Sequence, residues 1–588
     1  MLAAPVHAQQ SLGRYETVEC FPQVRILATN APLECGWLTL PELRSRPDGP
    51  AVRLAVIRYR ASNPTAPPLV YLHGGPGGAG AIVPSSLNWF NRMSDGVRDV
   101  IRFDQRAVGL SEPKLCLGIQ RDTSRTQDAW NANARNCIAD IKAQGRDPAG
   151  YTTVVQADDV RELRLALGYD KWDVFGVSYG GRLAAEVMRR DSNGVRAVIL
   201  HSPAIPIVAS LTEDPISVQT ALERLFARCA NQAECRAAFP TLERDFYDVY
   251  REVSANPRAI TASRGPMRFD GQQYLRAVRC QLTSTRQVLR LPLAIHELRR
   301  GDRVHAATVL ANACAGPASQ NQAGINVKNY LTNCADGNGK AYWDSRRSVA
   351  ARIDSMWLVF EEFGEECDIW QPRYADTTDL SPIRSSIPTL IITGEFDERT
   401  PTDHARRGAA GLTRKYIFEM PGEGHGTPPT GCQAELMRQF LADPTREPDG
   451  SCIAATPPIA FATQSLMLSN LWFNIAADTA ASPFAGTWET EFPNTPRPFT
   501  VQLRIDGSRV TGTWNPNQLP LFDGSVAGDT LRFSVKSPDG TRTIRFTGTL
   551  RGDTLSFVRE VDASAGGVQG QGIFGVAGAR TFTARRAP

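Results

Sequence analysis

A short glycine-rich segment carries the residue best suited to nucleophilic chemistry. It reads Gly176-Val177-Ser178-Tyr179-Gly180-Gly181 and lies between an apolar run at 172–175, which favours a buried strand, and a run at 182–188, which favours a helix. A strand, a serine flanked by glycines and a helix are typical of a tight turn that exposes the serine hydroxyl at the end of a sheet. The glycines are needed because a Cβ at the flanking positions would collide with the neighbouring strand or helix. Ser178 is therefore the candidate nucleophile.

The acid that would support this serine is expected further along the chain. A serine hydroxyl is a weak nucleophile at neutral pH and needs a base, and an acid that orients the base. In the architecture that the turn implies, the chain order is serine, then acid, then histidine. A strand pattern at 388–394 leads into a loop that carries Asp397. Asp397 is the predicted acid; Glu395 is the alternative, and Asp397 could instead cap the following helix.

Three histidines are candidates for the base. His425 lies in a glycine-rich loop after a predicted strand at 416–420, from which it can reach across the sheet edge. His404 lies at the start of a predicted helix, and His73 precedes the serine in the chain. The sequence therefore predicts His425 as the base and gives His73 a structural hydrogen bond.

A second glycine-rich loop, His73-Gly74-Gly75-Pro76-Gly77-Gly78, follows a predicted strand at 67–72. It lacks the Lys-Ser/Thr ending of a phosphate-binding loop. It matches the loop that supplies one oxyanion-hole N–H group in serine hydrolases of this architecture. We predict that the N–H groups of Gly75 and Tyr179 hold the oxyanion. The predicted chemistry is acyl transfer through a covalent intermediate, which needs no metal and no organic cofactor.

The elements that must position these residues alternate between strands and helices. Strands are also predicted at 54–59, 100–104 and 195–200, and an amphipathic helix at 153–167 is followed by Gly168 as its stop signal. Alternation of this kind favours a mostly parallel sheet with helices on both faces, the α/β-hydrolase fold. Between 205 and 372 helical periodicity dominates, for example at 218–230 and 241–253, and this predicts a cap over the serine. A helix at 433–441 is expected to complete the core.

The sequence changes character after Cys452. Residues 454–483 are rich in Ala, Thr and Pro, with one apolar patch at 466–475 that predicts a packing helix. From Phe484 onward apolar and polar residues alternate, as at 499–505 and 531–535, and Asp-Gly pairs at 506–507 and 539–540 are hairpin signals. The segment Gly-Asp-Thr-Leu occurs twice, which indicates repeated hairpins. These patterns predict an antiparallel β-barrel whose role the sequence does not give.

The resulting domain organisation has six parts. They are a residual signal peptide at 1–8, the first part of the hydrolase core at 9–204, the cap at 205–375, the second part of the core at 376–453, a linker at 454–483 and the barrel at 484–588.

Composition limits the classes of function. The 588 residues are 42% hydrophobic and 21% charged, with a formal net charge of +4 and no dense basic run, so nothing points to nucleic acid. No apolar stretch has the roughly 18 residues that a membrane span needs. The sequence predicts no oligomeric state.

Cysteine usage and the N-terminus favour export. The 12 cysteines form no Cys-x-x-Cys pair, and many bracket loop-like segments. Disulfides in an oxidising compartment are the simplest interpretation, and a cytosolic protein with buried thiols is the alternative. Val6-His7-Ala8 matches a signal-peptidase site, although an ordinary N-terminus could also contain it. The predicted localisation is secreted or periplasmic.

Five motifs in order resemble the proline iminopeptidase and tripeptidyl aminopeptidase group of α/β-hydrolases. They are His73-Gly74-Gly75-Pro76-Gly77, Asp104-Gln105-Arg106, Gly176-Val177-Ser178-Tyr179-Gly180-Gly181, Gly394-Glu395-Phe396-Asp397 and Gly424-His425-Gly426. The long cap, the cysteines and Cys367-Asp368-Ile369-Trp370 are more similar to the secreted tripeptidyl aminopeptidases. Ala107 departs from the group, which usually has glycine there. The resemblance does not cover the predicted barrel.

The resemblance implies a peptide substrate and carboxylates in the cap that bind its free α-ammonium group. Glu365 and Glu366 are the candidates among several acidic residues before the core resumes, and a solvated acidic helix face is the alternative. Met356, Trp357, Phe360 and Phe363 are expected in the core or a pocket wall. An esterase or amidase acting on a small acyl substrate could use the same triad. A binding protein that works through the barrel is a third possibility.

Overall fold

A computed structural model describes the chain in 22 stretches. They are residues 11–25, 32–81, 93–116, 127–205, 214–262, 265–300, 306–307, 310–311, 331–335, 356–357, 369–370, 382–426, 429–456, 459–463, 484, 486–490, 499–506, 509–515, 519–536, 543–551, 554–561 and 578–586. The chain divides into two compact units, Met1–Thr463 and Gln464–Pro588. The finer domain boundaries given above stay predictions, and the predicted signal peptide and linker helix lie outside the described residues.

The first unit is built on a nine-stranded sheet in the order β1-β2-β3-β5-β4-β6-β7-β10-β11. The six strands from β5 to β11 in this order pair in parallel, and β1, β2 and β3 form an antiparallel edge. The strands are β1 Arg14–Val18, β2 Leu33–Pro41, β3 Ala51–Tyr59, β4 Leu69–Leu72, β5 Val100–Phe103, β6 Trp172–Val177, β7 Val195–His201, β10 Thr389–Gly394 and β11 Lys415–Met420.

Helices cover both faces of this sheet. Alternate residues of β6 and β7 belong to different apolar clusters, because successive side chains of a strand point to opposite faces. One cluster includes the helices Thr153–Ala166 and Tyr179–Arg190, and the other includes the helix Gly431–Ala442. The remaining helices around the sheet are Pro22–Arg25, Gln127–Ala143, Pro148–Tyr151, Ser192–Gly194, Thr402–Gly408 and Ser451–Ala454. This confirms the predicted α/β-hydrolase core. Gly168, at φ +76, ends its helix as predicted.

Helices dominate the described residues between β7 and β10. We call them the cap helices: Asp214–Asn231, Ala233–Ala238, Leu242–Ala255, Gly271–Leu282, Thr285–Val288 and Leu291–Arg300. An antiparallel hairpin of β8 Arg258–Ala262 and β9 Gly265–Phe269 interrupts them. The sequence patterns predicted neither this hairpin nor β1 and β2. All four strands form antiparallel pairs in which each strand depends on its partner for backbone hydrogen bonds.

The second unit is an antiparallel barrel, as predicted. Its strands follow the order β13-β12-β20-β19-β18-β17-β16-β14-β15, and a pairing of β13 with β14 closes a ring of eight. They are β12 Gly486–Thr490, β13 Phe499–Asp506, β14 Arg509–Asn515, β15 Leu519–Pro520, β16 Phe522–Ala527, β17 Thr530–Lys536, β18 Thr543–Arg551, β19 Thr554–Val561 and β20 Gly578–Arg586.

The barrel's register explains its repeated sequence. Ala527 pairs with Thr530, and Arg551 pairs with Thr554, so a Gly-Asp pair stands at each of these two-residue connections. Asp506 pairs with Arg509, as the first Asp-Gly signal predicts. The second signal, at 539–540, lies outside the described residues. Aromatic residues fill the barrel's apolar core, where Trp514 and Phe546 stack with their ring centroids 4.7 Å apart.

Four disulfides join described cysteines that are 6 to 21 residues apart in the chain. They are Cys20–Cys35, Cys116–Cys137, Cys229–Cys235 and Cys432–Cys452. No cysteine in the described ranges is free. Among the helices described, none has the length and apolarity to cross a bilayer.

Candidate active site

Ser178 lies on a strained turn at the carboxyl end of β6. Its backbone angles are φ 55° and ψ −122°, between the strand and the helix Tyr179–Arg190. This conformation is unfavourable for a residue with a Cβ, and such strain is found at functional sites. A Cβ on Gly180 would overlap the carbonyl oxygen of Leu72, and one on Gly176 would overlap the carbonyl oxygen of Gly180. The close approach of β4 and the helix therefore requires both glycines.

The imidazole of His425 lies between Ser178 and Asp397. Its Nε2 is 2.9 Å from Ser178 Oγ, and its Nδ1 is 2.9 Å from Asp397 Oδ1. Because an ionised carboxylate only accepts hydrogen bonds, Nδ1 carries the proton and Nε2 is left to accept from the serine hydroxyl. Asp397 follows β10 and His425 follows β11, so three parallel strands bring these residues to one edge of the sheet.

The carboxylate of Asp397 is buried and extensively hydrogen-bonded. It accepts from the backbone N–H groups of Thr400, at 2.8 Å, and Arg399, at 3.0 Å. Burial opposes its ionisation, but the attraction of His425 and the hydrogen bonds from His425, Thr400 and Ser202 outweigh this effect. The pKa of Asp397 consequently lies well below its usual range. The site thus holds a fixed negative charge behind the imidazole.

Two hydroxyl groups complete the site, and the sequence reading assigned neither. Thr400 Oγ1 donates to Asp397 Oδ2 at 2.9 Å and lies 3.2 Å from His425 Nδ1. Ser202, fully buried at φ 45°, donates to Asp397 and accepts from the backbone N–H of Gly426 at 3.0 Å. The available signal for Ser202 was its position directly after β7, at the same edge of the sheet.

Two further histidines near the site are neutral: His201 is buried, and His73 is half-buried. Burial lowers the pKa of His201 to about 4, with a smaller contribution from His425. Burial also lowers the pKa of His73 to about 4, assisted by Arg102. Nδ1 of His73 has no hydrogen-bond partner among the described residues, so the hydrogen bond predicted for its imidazole is not found at this atom. Its main-chain oxygen instead accepts from Gln105 Nε2 at 3.0 Å.

The loop predicted to supply one oxyanion-hole N–H group lies beside Ser178. A Cβ on Gly74 would come within 2.8 Å of Ser178 Cβ, so this loop packs directly against the nucleophile turn. Gly75 has φ +124°, a region that favours glycine. Tyr179 begins the helix, and the N–H groups of a first helical turn have no acceptor within the helix. Its hydroxyl lies 2.8 Å from Thr153 Oγ1, which anchors its side chain.

The alternative acid and base have other contacts. Glu395 Oε1 accepts from Arg228, at 2.6 and 2.9 Å, and its Oε2 accepts from the N–H of Gly422 at 2.8 Å. His404 is buried in the helix Thr402–Gly408. In this geometry Asp397, and not Glu395, contacts the imidazole that reaches Ser178.

Ala107 adopts φ 58°, in the region where a Cβ is disfavoured. Glycine would adopt this conformation without strain, and alanine still forms the turn. The neighbouring side chains brace it: Arg106 donates to Asp159 Oδ1 at 2.7 Å, and Asp104 accepts from the N–H groups of Ala81 and Leu110. Gln105 of this turn donates to the main-chain oxygen of His73 and so supports the loop that carries Gly75.

The predicted ammonium-binding residues, Glu365 and Glu366, lie outside the described residues, as do Phe360 and Phe363 of the predicted core or pocket wall. Met356 and Trp357 are buried, and Trp357 stacks on Phe246 of a cap helix with ring centroids 6.0 Å apart. Within the described ranges, no group of three or more His, Cys, Asp or Glu residues could hold a metal ion.

Comparisons with known proteins agree with this fold. A family model described as the alpha/beta hydrolase fold matches residues 67–251, and one described as TAP-like protein matches residues 359–452. The serine protease Hip1 of Mycobacterium tuberculosis is 31% identical over 458 residues, which cover 71% of this chain and 86% of that protein. The chain belongs to the α/β-hydrolase family of serine peptidases.

Two other matches to this chain are weaker or cover shorter stretches. The tripeptidyl aminopeptidase of Streptomyces lividans is 30% identical over 200 residues, which cover 30% of this chain and 36% of that protein. The crystal structure of a proline iminopeptidase from Mycobacterium smegmatis is 18% identical with a TM-score of 0.34, covering 70% of this chain and 98% of that one. Both family models end before the barrel.

Proposed function

We propose that this enzyme removes short units from the free N-terminus of peptides through an acyl-enzyme intermediate. The observation that carries the proposal is the continuous hydrogen-bonded line from Ser178 Oγ through His425 to Asp397, with both distances at 2.9 Å. The match to peptidases in sequence supports a peptide substrate. Ser178 is the nucleophile, His425 the general base and acid, and Asp397 the group that orients the imidazole.

The reaction begins when His425 Nε2 takes the proton of Ser178 Oγ as the oxygen attacks the scissile carbonyl carbon. The imidazolium that forms is stabilised by the ionised Asp397, whose low pKa keeps it charged. The N–H groups of Gly75 and Tyr179 receive the carbonyl oxygen as it becomes negative, and the loss of one such donor typically raises the barrier by about 3–4 kcal/mol. The imidazolium then protonates the leaving amine. Water, deprotonated by His425, releases the acid and restores Ser178.

An aminopeptidase must also recognise a free α-ammonium group. Glu365 or Glu366 supplies the carboxylate for a charge-assisted hydrogen bond in this proposal. The support is the resemblance of the surrounding sequence and the match of residues 359–452 to the TAP-like family model.

The enzyme is also proposed to work outside the cytosol, in the periplasm or after secretion. Four disulfides among the described residues support this location, since reducing compartments keep thiols free. The signal-peptide match at Val6-His7-Ala8 adds to this support.

A panel of substrates tests the proposed activity. Peptide anilides with a free N-terminus should be cleaved, and the same peptides with an acetylated N-terminus should be cleaved far more slowly. Equal rates on the two sets would contradict aminopeptidase activity. Faster hydrolysis of short-chain p-nitrophenyl esters than of any peptide would instead favour an esterase.

Matched variants test the residue roles. His425→Gln should reduce kcat by about 10⁴-fold or more, whereas His404→Gln, on a neighbouring helix, should retain activity. Asp397→Asn should reduce kcat by about 10⁴-fold because the wrong imidazole tautomer is favoured, while Glu395→Gln should keep most of it. Retained activity in His425→Gln would refute the assignment of the base.

A further inference from the structure

The turn between two cap helices lies directly against the loop that carries His425. The N–H of His425 donates to the main-chain oxygen of Thr283 at 3.0 Å. A Cβ on Gly424 would come within 2.6 Å of the same oxygen, so only glycine allows this approach. The backbone position of His425 therefore depends on where the cap holds Thr283.

The next threonine of this turn strengthens the contact. Thr285 Oγ1 donates to Glu423 Oε2 at 2.6 Å and accepts from the N–H of Gly424 at 3.3 Å. Three consecutive residues before and at the histidine, 423–425, are thus hydrogen-bonded to one cap turn.

Glu398 holds Thr283 from the other side. Its Oε1 accepts from Thr283 Oγ1 at 2.8 Å, and Arg399 Nε lies 3.3 Å from the same oxygen. The carboxyl group is fully buried, and its Oε2 has no hydrogen-bond partner among the described residues. The pKa of Glu398 is raised above its usual value, mainly by burial and also by the neighbouring Asp397. The positive charges of Arg399, His425 and Arg279 oppose this increase without cancelling it. A buried carboxyl group is unfavourable unless its contacts compensate, so the bond to Thr283 is a specific feature of the site.

These contacts form a closed circuit. Asp397 and Glu398 are adjacent in the chain; Glu398 binds the Thr283 hydroxyl, the Thr283 carbonyl binds the His425 backbone, and the His425 ring binds Asp397. One arm of the circuit is the hydrogen bond between acid and base, and the other passes through the cap.

We propose that Thr283, held by Glu398, is a positioning residue through which the cap sets the distance between His425 and Ser178. The inference rests on the triad of the proposed function and adds a role for the cap in proton transfer. It predicts that disturbing the turn lowers the rate of the chemical step rather than the affinity for substrate.

The test compares three threonine variants. Thr283→Val removes the hydroxyl with little change of shape, Thr283→Ser keeps it, and Thr241→Val removes a cap hydroxyl that bonds to Asp245 at 2.7 Å and does not contact the His425 loop. Loss of one positioning hydrogen bond should lower kcat by about tenfold in Thr283→Val with KM within about twofold. Thr283→Ser should restore kcat, and Thr241→Val should leave it unchanged.

A second readout separates this inference from the choice of substrate. Covalent labelling of Ser178 by a fluorophosphonate depends on the activated serine but involves no peptide substrate, and its rate constant can be measured in each variant. In Thr283→Val this rate constant should decrease by the same factor as kcat. If wild-type enzyme labels at Ser178 but cleaves no peptide, the proposed substrate is wrong, and the labelling rates still test the positioning role.

A double variant tests the part played by Glu398. Thr283→Val and Glu398→Met interrupt the same link, so the double variant should be no slower than the slower single variant. If the decreases caused by Thr283→Val and Glu398→Met instead multiply in the double variant, the two residues do not act through one hydrogen bond. Wild-type labelling rates in Thr283→Val, or a Thr283→Ser variant as slow as Thr283→Val with unchanged thermal stability, would overturn the proposal.

Discussion

Replacing Ser202 by alanine should slow catalysis although this residue does not touch the substrate carbonyl in the proposed mechanism. The change removes a hydrogen bond to the Asp397 carboxylate and leaves the N–H of Gly426 without its acceptor. A hydrogen bond to a charged group contributes about 1.5–3 kcal/mol. If the whole loss falls on the step in which His425 becomes charged, kcat decreases by about 10- to 150-fold. KM should change little, because Ser202 holds the Asp397 carboxylate and contacts no part of the substrate in the proposed mechanism.

Two control variants make this prediction specific. Ser202 has φ 45°, so Ser202→Gly removes the same hydroxyl without the backbone penalty that alanine keeps. Both variants should lose activity, and the glycine variant should melt at the higher temperature. Ser111 is equally buried, donates to the oxygen of Asp104 at 2.6 Å and accepts from the N–H of Ala55 at 2.9 Å. Ser111→Ala should therefore lower thermal stability and leave kcat unchanged.

The assay is steady-state hydrolysis of a free-N-terminus peptide anilide, with melting curves for each variant. A Ser202→Ala enzyme with kcat within about twofold of wild type would show that Ser202 does not support Asp397 in catalysis, since even a weak hydrogen bond to Asp397 would contribute more. An equal loss of kcat in Ser111→Ala would also refute this role, because the effect would then be one of general destabilisation.

Thr400, the two neutral histidines and Ala107 can each be tested in the same enzyme. Thr400→Val should lower kcat by about tenfold or more, because Asp397 loses a charge-assisted donor, and Thr400→Ser should retain activity in the same assay. In the folded protein His201 and His73 each have a pKa of about 4, against an ordinary 6.5, so the unfolded chain binds these protons more tightly. The free energy of unfolding should therefore be at its full value above pH 6.5 and fall towards pH 4, by about 2 kcal/mol per histidine at pH 5. Chemical unfolding curves measured at a series of pH values test this. An unfolding free energy that does not change between pH 6.5 and pH 4 would contradict the low pKa of these two histidines. Ala107→Gly should raise the unfolding free energy by up to about 1 kcal/mol, because relief of about 1–2 kcal/mol of backbone strain exceeds the loss of one buried methyl group, and a lower melting temperature would contradict it.

The sequence predicted the parts of the site that are encoded locally. The turn at Ser178 needs glycines for steric reasons that hold in any sheet, and Asp397 and His425 follow apolar runs that read as parallel strands. Because parallel strands end at one edge, chain order alone was enough to propose that these residues meet. The barrel was equally legible, since alternation and Gly-Asp pairs are local signals.

Contacts between distant segments could not be read in the same way. Ser202 reaches Gly426 across 224 residues, and Thr283 reaches Glu398 across 115. Neither pair has a characteristic local pattern, because serine and threonine are common in turns. The hairpin of β8 and β9 was missed for a related reason: a short strand within a helical region depends on its partner for hydrogen bonds.

Covalent labelling of the active serine is the most direct test of the roles assigned to Ser178 and His425. The enzyme is treated with a fluorophosphonate, digested and mapped by mass spectrometry, beside the variants His425→Gln and His404→Gln. One modified residue, Ser178, is expected in the wild type and in His404→Gln, and labelling should be abolished in His425→Gln. Modification of a different serine, or undiminished labelling of Ser178 in His425→Gln, would contradict the claim that His425 and Asp397 activate this nucleophile.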